Sequence, residues 1–228
     1  MPAPPFDLQP VWLSLRVAFG ALLIVAVVGT LAGRFFARKR FHGQSYIEAL
    51  FLLPLVLPPV VSGFVLLLLL GKRGFIGAWL WKHFELQLLF TPFAAILASA
   101  LVAFPLMFVS AKAAFSQTDF HLEDAAAGLG ASPARVFWTI VLPLAAPGIG
   151  AGLALSFARA LGEFGATILV AGNIAGQTTT VSNAIYLAAE SGDYPLAARY
   201  CAILGALNLA FVLAAQTWQM KHRGHRGT

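Results

Sequence analysis

The side chains able to do chemistry in this chain are few, and their spacing limits what they can do. Arg159 and Glu163 stand four residues apart, so on a helix they share one face and can pair. Thr167 and Asn173 are the next polar side chains along the same stretch. Two readings stay open for this group. It is a snorkelling pair that anchors the end of a span, or it is a gate or path element where Arg159 assists an anion. On the second reading the path or gate residues are Arg159, Glu163, Thr167 and Asn173. The five histidines, His42, His83, His121, His222 and His225, all fall outside the long apolar runs, so no histidine cluster offers a metal site. The single cysteine, Cys201, cannot build a disulfide or thiolate–metal framework within one chain. No Ser-x-x-Lys is present, and no serine in an apolar run has a candidate histidine base. Gly71-Lys72 lacks the upstream glycine and the following Ser or Thr of a phosphate-binding loop. No enzymatic role is expected, and no metal or cofactor held by this chain.

The elements that position these groups follow from composition. Of 228 residues, 59% are hydrophobic and only 11% are charged, and the mean hydropathy is +0.81. Soluble domains are roughly a quarter charged. So small a charged share cannot cover a water-facing surface, and lipid must be the solvent for much of the chain. Charges bound five apolar runs, read as spans near Val11–Gly33, Ala49–Leu70, Leu88–Ala111, Ile140–Leu161 and Tyr200–Met220. Each can cross a hydrocarbon core of about 30 Å as a helix, the form that satisfies its own backbone in lipid. The fold class expected is all-α, a polytopic membrane protein forming a single domain over residues 1–228. Pro54, Pro58 and Pro59 should kink the second span, and Gly148, Gly150, Gly152 and Ala154 should allow close packing in the fourth.

Basic residues set the expected orientation. Arg34, Arg38, Lys39 and Arg40 follow the first span without an acid, and Lys221, Arg223 and Arg226 end the chain. Both clusters should be cytoplasmic, which puts the N-terminus outside and the C-terminus inside. That topology accounts for the net charge of +6 better than nucleic-acid binding does. Lys72, Arg73 and Lys82 are the exception and fall outside. The leading segment MPAPPFDLQP has no basic start and carries Asp7 and several prolines, unlike a signal peptide. Phe164–Ala189 carries no charge but is broken by Gly165, Gly172 and Gly176 and by the run Thr178-Thr179-Thr180. It is read as short external helices and loops, or as a re-entrant segment lining a cavity.

The loop at about 112–142 has the most ordered punctuation. Glu123 and Asp124 stand in a first helical turn, followed by Ala125, Ala126 and Ala127. Gly130 suits a left-handed position after a helix; Ser132 suits an N-cap and Pro133 a first helical position. The pattern predicts a helix, a tight turn and a second helix that ends where Leu142-Pro143 enters the membrane. Small side chains on one face of the first helix would let another protein approach closely.

This loop resembles the coupling loop of the permease subunits of binding-protein-dependent ABC importers. That family carries Glu-Ala-Ala, three residues, Gly, nine residues, Ile, one residue, Leu-Pro. Here Asp124-Ala125-Ala126, Gly130, Ile140 and Leu142-Pro143 match at every position except Asp for Glu. More of the chain resembles the molybdate permease branch: Leu53 to Gly63, Arg159 to Thr167, Gly172 to Thr178, and Ala184-Ile185-Tyr186. The resemblance implies a type I ABC importer permease fold in the bacterial plasma membrane. It implies a second copy of the permease, two cytoplasmic ATPase subunits and an external oxyanion-binding protein, with ATP and Mg on the ATPases. The ATPase-coupling residues it implies are Glu123, Asp124, Ala125, Ala126, Gly130, Ile140, Leu142 and Pro143. Sulfate or tungstate permeases are the alternatives within the family. An ion-coupled secondary transporter would place ionisable groups inside its spans, and here spans two, three and five are free of charge.

Overall fold

The computed structural model describes residues 6–224, so Met1–Pro5 of the leading segment and His225 and Arg226 of the tail lie outside the described residues. The chain forms α1 (Gln9–Arg38), α2 (Gln44–Val56), α3 (Pro59–Leu70), α4 (Phe75–Phe84), α5 (Pro92–Ser116), α6 (Phe120–Gly128), α7 (Pro133–Val136), a π-helical turn (Phe137–Val141), α8 (Leu142–Leu161), α9 (Gly165–Val170), α10 (Val181–Glu190) and α11 (Tyr194–Gly224). Among the described residues, five stretches are by length and composition apolar enough to cross a membrane: Gln9–Arg38, Pro59–Phe84, Pro92–Ser116, Pro133–Leu161 and Tyr194–Thr217; Pro59–Phe84 is not one helix but α3 and α4 joined by a turn. The all-α expectation is met.

The bundle is organised around α5, whose buried side includes Ala95, Ala98, Val102, Met107 and Ala111. Thr91 opens this helix by accepting from the Ala94 N–H at 3.3 Å, and Pro92 fixes its first turn. α1 shows the stripe that a lipid-facing helix needs. Trp12, Phe19, Leu23, Val27, Leu31 and Phe35 are exposed, while Ala18, Ala21, Val25, Gly29 and Gly33 are buried. Arg16 lies on the exposed stripe one turn from Trp12, as an interfacial anchor should.

The two helices touch through glycine. A Cβ on Gly33 would stand 2.6 Å from Ala111 Cβ and 2.7 Å from the Lys112 backbone nitrogen. Gly29 meets Met107 in the same way. Gly33→Leu should therefore cost about 2 kcal/mol or more through forced separation of α1 and α5. The detergent-solubilised protein would unfold at a lower temperature, and an unchanged midpoint would show that this contact can open without penalty. Of the glycines expected to pack the fourth span, Gly148 meets Ala114 and Gly152 meets Ser110, so both serve contact with α5 inside the protomer.

Two expectations need correction. The second span is not one kinked helix over Ala49–Leu70, because the chain breaks between α2 and α3. Leu57 (ψ 147) and Pro58 (ψ 136) are extended. Pro58 drives Leu57 out of the helical region, and Pro59 starts a new helix. Pro54 stays inside α2. Beyond α3 the chain turns sharply into α4. A Cβ on Gly77 would lie 2.1 Å from the Gly71 carbonyl oxygen, whereas a straight helix would separate these residues by about 9 Å. Lys72 and Arg73 sit in this turn, and Lys72 Nζ rests 4.0 Å from the Trp81 ring centroid.

The second correction concerns the loop's second helix, which does not end at Leu142-Pro143. It runs from α7 through the π-helical turn into α8. Pro143 has no N–H to give and would clash with the carbonyl four residues back in an α-helix. The wider π turn, closed by Leu142 N–H to Phe137 O, relieves both problems.

At one end of the bundle, Phe164–Ala189 forms α9, α10 and their loops, short elements as expected. They make a lid tied to α1 by two long-range bonds, Val181 N–H to Ser14 Oγ (2.8 Å) and Gln9 Nε2 to Gly176 O (2.9 Å), and braced within itself by Asn183 Nδ2 to Gly172 O (3.2 Å). α11 packs on α8 and α10, with Phe211 stacked on Phe157 at 3.9 Å. The α6–α7 hairpin occupies the opposite end.

Candidate functional site

The hairpin is built by its caps. Asp119, which sequence reasoning missed, accepts from the His121 N–H at 2.9 Å and starts α6. At the other end, Ala131 N–H donates to Ala126 O (3.0 Å) and Gly130 N–H to Ala127 O (2.9 Å). These are the two bonds of a Schellman turn, which needs the left-handed Gly130 (φ 83°). Ser132 Oγ then accepts from the Arg135 N–H at 3.4 Å and opens α7 at Pro133.

The eight residues assigned to coupling occupy different surroundings. Asp124 and Ala125 are exposed, as are the neighbouring Ala127 and Gly128. Leu129 stands out fully, at 90% exposure. This is the small-faced surface open to a partner, with Leu129 as its knob. Ala126 and Ile140 are half-buried against the main core, Leu142 is half-buried, and Pro143 is exposed.

Glu123 is turned the other way and is buried. Its carboxylate accepts from Arg34 Nη1 (3.3 Å) and Nη2 (2.9 Å), and also from Arg38. Both arginines belong to α1, and their only sequence signal was a basic cluster that topology already explained. A second link of this kind joins Lys112 of α5 to Glu48 of α2 at 2.6 Å. A cleft of about 570 Å³ opens beside the hairpin between α5 and α8, lined by Ser110, Gln117, Asp119, Leu144 and Pro147 among others.

At the lid end, Arg159 and Glu163 pair as their spacing requires, with Nη1 2.7 Å from Oε2. The pair is a charge contact, since that oxygen makes no aligned hydrogen bond. The Glu163 side chain is 1% exposed and Arg159 28%. The other Glu163 oxygen accepts from the Ala166 N–H at 2.8 Å and so caps α9. Thr167 is buried on α9 with its hydroxyl unpartnered. Asn173 is apart from this group. It is exposed and accepts from Thr179 Oγ1 at 2.7 Å. α9 itself lies close on α3, because a Cβ on Gly63 would stand 2.7 Å from Ala166 Cα. The structure thus joins Arg159, Glu163 and the start of α9 into one unit, and leaves Asn173 in the neighbouring loop.

Comparison with known proteins agrees with this architecture. Residues 26–222 match the family described as "Binding-protein-dependent transport system inner membrane component". The chain is 44% identical over 216 residues to the molybdenum transport system permease protein ModB of Haemophilus influenzae, covering 94% of each chain. It is 35% identical over 208 residues to the sulfate transport system permease protein CysT of Escherichia coli K12, covering 91% of this chain and 75% of that one. Its fold is shared with a chain of the MetNI methionine ABC transporter in an inward-facing conformation. The TM-score is 0.75 at 16% identity, over 97% of this chain and 99% of that one. The importer permease fold implied by the loop is thereby borne out, and the chain belongs to the family of inner membrane components of binding-protein-dependent transport systems.

Proposed function

We propose that this chain is the permease subunit of an ATP-driven importer and forms the translocation path for the oxyanion molybdate. The observation that carries the reading is the hairpin. A capped, small-faced helix with Leu129 projecting from it stands at one end of a membrane bundle and continues through α7 directly into a spanning helix. Such a surface suits a partner that pushes. Two ATPase subunits dock there, holding ATP and Mg, and this chain binds no cofactor of its own. A second copy of the permease completes the path, and an external oxyanion-binding protein delivers the anion at the lid end. The coupling residues are Glu123, Asp124, Ala125, Ala126, Gly130, Ile140, Leu142 and Pro143. Arg159, Glu163, Thr167 and Asn173 belong to the path or its gate. The basic residues of the hairpin end support a cytoplasmic hairpin and an external N-terminus, in a bacterial plasma membrane. Transport proceeds by alternating access, as movement of the hairpins opens and closes the two ends in turn.

Molybdate is favoured over sulfate by the higher identity to the molybdenum permease than to the sulfate permease. The test is uptake of labelled molybdate, with unlabelled tungstate and sulfate as competitors, in a strain lacking only the permease and complemented with this chain. Molybdate accumulation is expected. Uptake of sulfate in its place would move the chain to the sulfate branch. An inserted protein that restores uptake of none of the three anions would overturn the reading.

A further inference from the structure

Arg34 has more to do than set topology. Its guanidinium forks onto Glu123 of α6 through two nitrogens, at 3.3 and 2.9 Å. Its Cζ lies over two rings, 5.4 Å from the centroid of Phe115 on α5 and 5.6 Å from that of Phe137 in the π-helical turn. One side chain of α1 therefore touches α5, α6 and the start of the π turn. Arg38, one turn further along, holds the same carboxylate.

The covalent chain joins the hairpin only to α5, through residues 117–119, and to α8, through α7 and the π turn. α1 is 89 positions away in sequence from Glu123, so the Arg34 contact is a third attachment. α1 is in turn packed on α5 through Gly29 and Gly33 with no room for a side chain. On one side, then, the hairpin is tied to a close-packed pair of helices. On the other it meets a π turn with Pro143 just beyond it, the irregular element of the connection.

We propose that Arg34 is a positioning residue that clamps the hairpin to the α1–α5 pair, so that displacement of α6 is passed directly to α1 and α5 and not only along the chain through α7 and the π turn at Phe137–Val141. The proposal rests on the reading of the hairpin as the ATPase contact. The chemistry asks for arginine. The fork needs two parallel donors in one plane, which the single ammonium of lysine does not supply.

The experiment uses the whole transporter, with ATPase subunits and binding protein, in proteoliposomes. ATP hydrolysis stimulated by molybdate-loaded binding protein and uptake of labelled molybdate are measured side by side for wild type, Arg34→Lys, Arg34→Ala and Glu123→Gln. Each variant is checked for monodisperse assembly. Uptake per ATP is expected to fall about tenfold in Arg34→Ala and Glu123→Gln, the scale of one lost charged hydrogen bond. Arg34→Lys is expected to recover part of the loss. A purely structural role would lower hydrolysis and uptake together and leave their ratio unchanged, and that result would overturn the clamp. If Arg34→Ala fails to assemble, Arg34→Lys and Glu123→Gln, which keep side-chain volume, decide the question by the same ratio. Failure of the underlying reading shows differently: the wild-type complex would then take up no anion in response to ATP.

Discussion

Gly130→Pro should abolish molybdate uptake while the protein still inserts in the membrane. Gly130 sits at φ 83°, and its N–H closes the turn on Ala127 O. Proline fixes φ near −65° and has no N–H, so both requirements fail together, at a local cost of about 3 kcal/mol or more. The hairpin would then leave α6 in another direction, and the exposed face of Asp124, Ala125, Ala127 and Leu129 would be presented elsewhere. Gly130→Ala makes a graded control. The space around the missing Cβ is open, so alanine meets only the left-handed backbone penalty of about 1–2 kcal/mol. Uptake should decline in the order Gly, Ala, Pro at equal protein level by immunoblot. Normal uptake with proline at 130 would remove the hairpin from the mechanism. For a probe of docking alone, Ala125 and Leu129 are better positions than Ala126. Ala126 is half-buried against the core, so a bulky residue there would disturb packing as well as contact.

Glu163→Ala should be among the most destabilising single changes in the chain. It removes the acceptor for the Ala166 N–H, opens the start of α9 and leaves Arg159 without the carboxylate it faces. Losing one partner of a buried charge pair costs roughly 3–5 kcal/mol. The partial exposure of Arg159 places the expected cost near the lower end, at about 3 kcal/mol. Glu163→Gln keeps an acceptor for Ala166 and the side-chain volume, and should cost about 1–2 kcal/mol. The readout is thermal unfolding of the protein in detergent. An alanine variant as stable as wild type would mean that the lid end does not depend on this carboxylate.

Much of this architecture can be read locally. Charge-bounded apolar runs mark the spans because lipid excludes charge. Ser132, Pro133 and Gly130 mark the hairpin because each satisfies a backbone requirement of its own position. The Arg159–Glu163 pair follows from helical spacing. What escaped depends on partners distant in sequence or on backbone choices that several sequences allow. The Arg34 and Arg38 contacts to Glu123 span 89 and 85 positions, and nothing near Glu123 in the chain indicates them. The Lys112–Glu48 pair is hidden in the same way. Three prolines signal that the second span is disturbed, yet a kink and a clean break at Leu57–Pro58 begin from the same residues. The sharp turn before α4 depends on Gly74 and Gly77 lying against carbonyl oxygens of α3 and of the turn that follows it, a contact seen only once the chain is in three dimensions.

The glycine face of α1 also bears on how the protein is made. Its matching surface, on α5, is translated only after α2, α3 and α4 have emerged. The first helix must therefore wait at the insertion site, or among lipids, with Gly29 and Gly33 uncovered. Assembly of the bundle can lock only when the ribosome has passed Lys112. Any delay in synthesis before that point prolongs the time during which a neighbouring newly made helix can take the place reserved for α5.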